Sequence, residues 1–81
     1  MYIKYLGNIH NIDNYQSIVK GTPLKEIRLL KDSHSITFVF DDVVSRDWVL
    51  SKIWIEIQKE TKFFDLDADL ELYYSTIKYN V

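Results

Sequence analysis

The amino-acid sequence predicts an α+β fold: a single small domain, residues 1–81, in which an antiparallel sheet of about four strands carries one main helix on one face. Three observations lead there. Asp65-Leu-Asp-Ala-Asp-Leu-Glu-Leu72 alternates acidic and apolar residues without a slip, the period of a half-buried strand. Leu24–Lys31 and Ser35–Asp41 are two β-prone runs joined by a short polar connection, the pattern of a hairpin. Residues 45–64 contain no Gly, Pro or Asn and repeat apolar residues at three-and-four spacing, the pattern of a helix.

Taken in chain order, Met1–Leu6 reads as a short strand closed by the turn-forming pair Gly7-Asn8. Ile9–Gly21 is more polar, and Asp13 ahead of Tyr15, Ile18 and Val19 suits the cap of one or two helical turns. Gly21-Thr-Pro23 breaks whatever precedes it. In the hairpin, Asp32-Ser-His34 makes the turn. Ile36-Thr-Phe-Val-Phe40 is nearly continuous in apolar and β-prone residues, which places it at the centre of the sheet. Ser45 is the expected N-cap of the helix, with Asp41-Asp42 capping the same segment from further upstream. Leu50, Ile53, Trp54, Ile57, Thr61 and Phe64 form its stripe, while Trp48 and Ile55 fall beside it. Ile53–Ile57 also fits a period-2 strand, so an all-β domain is the alternative if the helix fails. The last strand is expected over residues 67–79, with Leu66, Ala68, Leu70 and Leu72 facing inward and Tyr73, Ser75, Ile77 and Tyr79 outward.

Composition narrows the class. Hydrophobic residues are 47% and aromatic residues 15%, with two glycines and one proline, which excludes a disordered chain. A domain of 81 residues buries roughly 60–65% of its unfolded surface, enough for one core. There is no cysteine, so neither a disulfide framework nor a thiolate zinc site can form, and a reducing, cytoplasmic setting fits. No apolar run reaches a membrane span of about 20 residues, and Met1–Leu6 is too interrupted for a signal peptide.

The net charge of -2 is distributed unevenly. Residues 1–40 hold five bases and three acids, +2, whereas residues 41–71 hold four bases and nine acids, -5. Such asymmetry suits an acidic surface meeting a basic protein partner. Direct nucleic-acid binding is not expected, because Lys25, Arg28 and Lys31 do not share one strand face and Glu26 and Asp32 dilute them.

Catalytic and metal motifs fail on their own requirements. Asp65-x-Asp67-x-Asp69 opens like a calcium loop, yet the sixth and twelfth positions hold Leu70 and Thr76 in place of Gly and Glu. His10 and His34 stand alone, with no zinc-type spacing and no nucleophile beside His10. No phosphate-binding glycine loop, dinucleotide fingerprint or nucleophile elbow occurs, so no cofactor and no enzyme activity are expected. The candidate partner-binding face is therefore the acidic strand with its tyrosine: Asp65, Asp67, Asp69, Glu71 and Tyr73. Like charges at alternate positions destabilise a strand slightly, a cost that suits either edge protection or docking of a basic surface.

The hairpin Leu24-Lys-Glu-Ile-Arg-Leu-Leu-Lys-Asp-Ser-His-Ser-Ile-Thr-Phe-Val-Phe-Asp41 is similar to hairpins of small bacterial immunity proteins of polymorphic toxin systems; it spans about a quarter of the chain. That resemblance implies a cytoplasmic inhibitor that plugs a toxin and has no catalysis of its own. The alternative is a structural subunit of a larger assembly, or a homodimer joined through Trp48, Trp54 or the C-terminal strand.

Overall fold

Six short strands and two helices make the α+β domain in the computed structural model, which describes residues 1–21 and 24–78. The first sheet is built on β1 (Tyr2–Tyr5), flanked by antiparallel β2 (Asn8–Asn11) and by parallel β6 (Phe63–Asp65). The second is an antiparallel meander of β3 (Ser17–Gly21), β4 (Glu26–Lys31) and β5 (His34–Val39). Helix α1 spans Val43–Gln58 and packs against β4; α2 spans Leu66–Tyr73 and packs against β1. One core joins them: Ile3, Tyr5 and Phe64 from the first sheet, Ile27, Leu29 and Phe38 from the second, Val49 and Ile53 from α1, Leu66 and Leu70 from α2. No helix among the described residues is long and apolar enough to cross a membrane.

The hairpin stands where its pattern placed it, with Lys31 opposite His34 around a two-residue turn, Asp32-Ser33. Its second strand is not central, however. β5 is an edge strand, and the centre is β4. Phe38 and Phe40 are buried while Thr37 and Val39 are exposed, so the apolar run hides an ordinary period-2 alternation.

The polar stretch after Gly7 is also more ordered than its composition implies. It forms β2, a 3-10 turn over Ile12–Asn14 and β3, with Asn11 rather than Asp13 as the cap; the Asn11 Oδ1 accepts from the Asp13 amide. The first turn is Leu6-Gly7, one residue earlier than expected. Both residues have positive φ, 52° and 79°, which is the type I′ geometry that matches strand twist in a two-residue hairpin.

Helix α1 begins on Asp42, whose Oδ1 accepts from the Ser45 amide at 2.7 Å, so the cap is the aspartate and Ser45 is a buried helix residue. It ends well before Phe64. The Glu60 amide donates to the Ile57 carbonyl and the Thr61 amide to the Glu56 carbonyl, a Schellman closure with Glu60 at φ 58° in the position usually held by glycine. The expected stripe is rotated. Arg46, Val49 and Ile53 form the buried line, Trp54 is 59% exposed, and Trp48 widens the packed face by stacking on Tyr73 at 4.4 Å. Two residues beyond the closure the chain enters β6 alongside β1.

The expected strand over 67–79 is not formed. α2 and a π-type turn over Tyr74–Lys78 occupy that segment. Leu66, Leu70 and Tyr73, at i, i+4 and i+7, are buried, whereas Ala68 and Leu72 are exposed. The side chain of Ile77 and all of Tyr79 lie outside the described residues.

Candidate partner-binding site

Helical geometry dissolves the expected acidic row. Residues two apart on an α-helix are turned by about 200°, so alternate carboxylates leave on opposite sides. Each of the four takes separate surroundings. Asp65 is the N-cap of α2, its Oδ1 accepting from the Ala68 amide at 3.1 Å. Asp69 lies 3.7 Å from the Lys52 ammonium of α1. Asp67 holds the β1–β2 turn: its Oδ1 accepts from the Leu6 amide at 2.6 Å and its Oδ2 from the Gly7 amide at 3.0 Å. Glu71 stays exposed. Tyr73, the expected aromatic anchor, is only 4% exposed and stacked on Trp48, so its ring is part of the core.

Two of the five nevertheless meet at one place. Asp67 and Glu71 join Asp41, which follows β5, around a recess of about 410 Å³ floored by Tyr5, Phe40 and Leu70. Among the described residues no lysine or arginine lines it, and none of the three carboxylates forms an ion pair. Tyr74 closes one side, taking the place expected for Tyr73. The Tyr5 hydroxyl donates to the Val39 carbonyl at 2.8 Å and ties the two sheets together. Burial pushes this phenol up to about 12, helped by the neighbouring Tyr74, Asp67 and Asp41. Three carboxylates around one recess make a further negative charge inside it unfavourable and suit it chemically to a cation.

The other charged clusters are structural. Arg46, 5% exposed, donates through Nη1 to the Leu24 carbonyl at 3.0 Å and through Nε and Nη2 to Asp47. Hydrogen bonding from Arg46 first, then from Lys20, holds the Asp47 carboxyl below the usual carboxylate range. Glu26 is buried beside Arg28, which donates to it at 2.6 Å. His10 packs on Phe38 with ring centroids 5.3 Å apart, and His34 is an exposed residue at the start of β5. Among the described residues no three His, Cys, Asp or Glu side chains stand close enough together to hold a metal ion.

A larger cleft, about 860 Å³, opens beside the C-terminal half of α1. Its charged lining consists of Asp13, Glu60 and Lys62, so it lacks the one-sided charge of the recess. Compared with protein-family models, with curated proteins and with solved structures, the chain matches none.

The regrouped acids were accessible in principle. Asp65 followed by Leu66, Leu70 and Tyr73 is a capped helical stripe, with Asp67 and Asp69 in the first turn where the dipole favours them. Asp41 had no such signal, because only the tertiary fold carries the end of β5 to α2.

Proposed function

We propose that the protein is a non-catalytic protein-binding module that engages a basic partner, the partner's cationic side chain entering the recess between the β1–β2 turn, the end of β5 and α2. The observation that carries this reading is the convergence of Asp41, Asp67 and Glu71 on one apolar-floored recess with no base in its lining among the described residues. Apolar walls around the acids reduce screening there, and the one-sided charge steers an oppositely charged surface toward it. Val39 and Leu6, both exposed, extend the recess with apolar surface on which the stem of a long basic side chain can lie. The finer form of the proposal is an inhibitor of the immunity type acting inside the cell, to which the hairpin at residues 24–41 bears its resemblance.

Hexalysine is a suitable probe, titrated calorimetrically at low and at high salt. Asp41→Asn with Glu71→Gln removes two exposed charges and leaves the Asp67 clasp intact. Each neutralised carboxylate is expected to weaken binding by about 0.5–1 kcal/mol, so the double variant loses roughly five- to thirtyfold. Raising the salt should weaken the parent much more than the variant. Affinity that ignores salt, or a double variant binding as tightly as the parent, would overturn the proposal.

A further inference from the structure

The larger cleft has a different chemistry and does not depend on the recess. Helix α1 turns its Arg46–Val49–Ile53 line toward β4, and the stripe Leu50, Trp54 and Ile57, again at i, i+4 and i+7, lines the cleft. Across from it stand the start of β1, the 3-10 turn and the first residues of β3. The floor is Ile12 and Ile53, 6% and 1% exposed. Three aromatic rings, Tyr2, Tyr15 and Trp54, border the space. Elsewhere Tyr5, Phe38, Phe40, Trp48, Tyr73 and Tyr74 pack ring against ring. Among the described residues Tyr2, Tyr15 and Trp54 make no such contact; Tyr2 and Trp54 are exposed, and Tyr15 lies half-buried against the core.

Charge at the rim is balanced. Asp13 pairs with the Met1 amino nitrogen at 2.8 Å, and Glu60 is offset by Lys62 two residues on. A charge-balanced mouth over an apolar floor gives neither a cation nor an anion an advantage. The complementary occupant is neutral. At about 860 Å³ the cleft has the size of a small-molecule site, typically about 300–1,000 Å³, and the exposed rings of Tyr2 and Trp54 favour a flat partner.

We propose that the cleft between α1, β1 and β3 is a binding site for an uncharged, flat aromatic small molecule, stacked between Trp54 and the tyrosines and resting on Ile12 and Ile53. The probe is N-phenyl-1-naphthylamine, neutral and fluorescent in apolar surroundings, titrated into the whole chain while sedimentation reports the oligomeric state. One saturable site per chain is expected. Trp54→Ala and Ile57→Lys should each weaken it about tenfold or more, because one removes a stacking face and the other puts an ammonium into the cleft. Both positions are exposed, and lysine suits the last turn of a helix, so the fold should survive either change. Val44→Lys, at an exposed residue outside the cleft, should leave the affinity unchanged, and hexalysine should not compete. The proposal is overturned if fluorescence never saturates, if binding survives both cleft variants, or if the chain is a dimer that refuses the probe, since a second copy would then fill the space.

Discussion

Asp67→Ala is the sharpest perturbation, because the strand and helix accounts of residues 65–72 predict opposite signs for it. In a row of like charges, deleting one relieves repulsion and stabilises by a few tenths of a kcal/mol. In the structure, Asp67 is the acceptor for the two amides of a strained turn, at 2.6 and 3.0 Å. Hydrogen bonds to a charged group contribute about 1.5–3 kcal/mol, and in this exposed setting about 1 kcal/mol each is the appropriate figure. Loss of an acid from the first turn of α2 adds about 0.3–1 kcal/mol. The expected destabilisation is therefore about 2–3 kcal/mol, or a melting temperature lower by roughly 10–20 °C for a domain of this size. Urea unfolding followed by circular dichroism measures it. The mechanism makes a second demand. Leu6 at φ 52° carries left-handed strain of about 1–2 kcal/mol, and Leu6→Asn creates the Asn-Gly pair that type I′ turns prefer. Leu6→Asn alone should stabilise by about 0.5–1 kcal/mol, and in that background Asp67→Ala should cost less than in the parent. A stabilising Asp67→Ala, or one whose cost is unchanged by Leu6→Asn, would refute the clasp.

Other residues lead to equally direct measurements. Glu60→Gly relieves the positive φ at the Schellman position and should raise stability by about 1 kcal/mol in the same urea assay. Gly21→Ala should cost about 1–3 kcal/mol, since a methyl group there would overlap the buried Glu26 side chain, and thermal unfolding will show it. Asp47, with its carboxyl held low by Arg46 and Lys20, contributes stability that is present above the unfolded carboxylate range and is lost as pH falls through its folded value. Asp47→Asn should accordingly be less stable than the parent at pH 7, and the gap should close in strongly acidic solution. Equal destabilisation at both ends of the pH range would show that the carboxylate's charge is not what matters.

The distinction between recess and cleft rests on which acids the fold leaves without a base. Asp69, Glu26, Glu56 and Asp47 all face lysine or arginine, whereas among the described residues Asp41, Asp67 and Glu71 pair with none. Sequence proximity obscured this. Asp67 and Asp69 look equivalent in the chain, yet the helix turns one toward the β1–β2 turn and the other toward Lys52 of α1.

By itself the chain determined what is local: the 24–41 hairpin, the existence of a long helix after Asp42, the α+β class, and the apolar weight of Leu66 and Leu70. Neighbouring residues suffice for these, because turn chemistry, capping and periodicity act over a few positions. Tertiary structure decided the rest. An alternating stretch is compatible with a strand, but Leu66, Leu70 and Tyr73 bury one helical stripe against β1 and Trp48, and that burial outweighs the local period. It also chose where α1 ends, since Phe63 and Phe64 gain a parallel ladder beside β1 that no signal in residues 45–64 could announce. The gathering of Asp41 with Asp67 and Glu71 is of the same kind. Residues distant along the chain become one surface only after the core has fixed the positions of the elements that carry them.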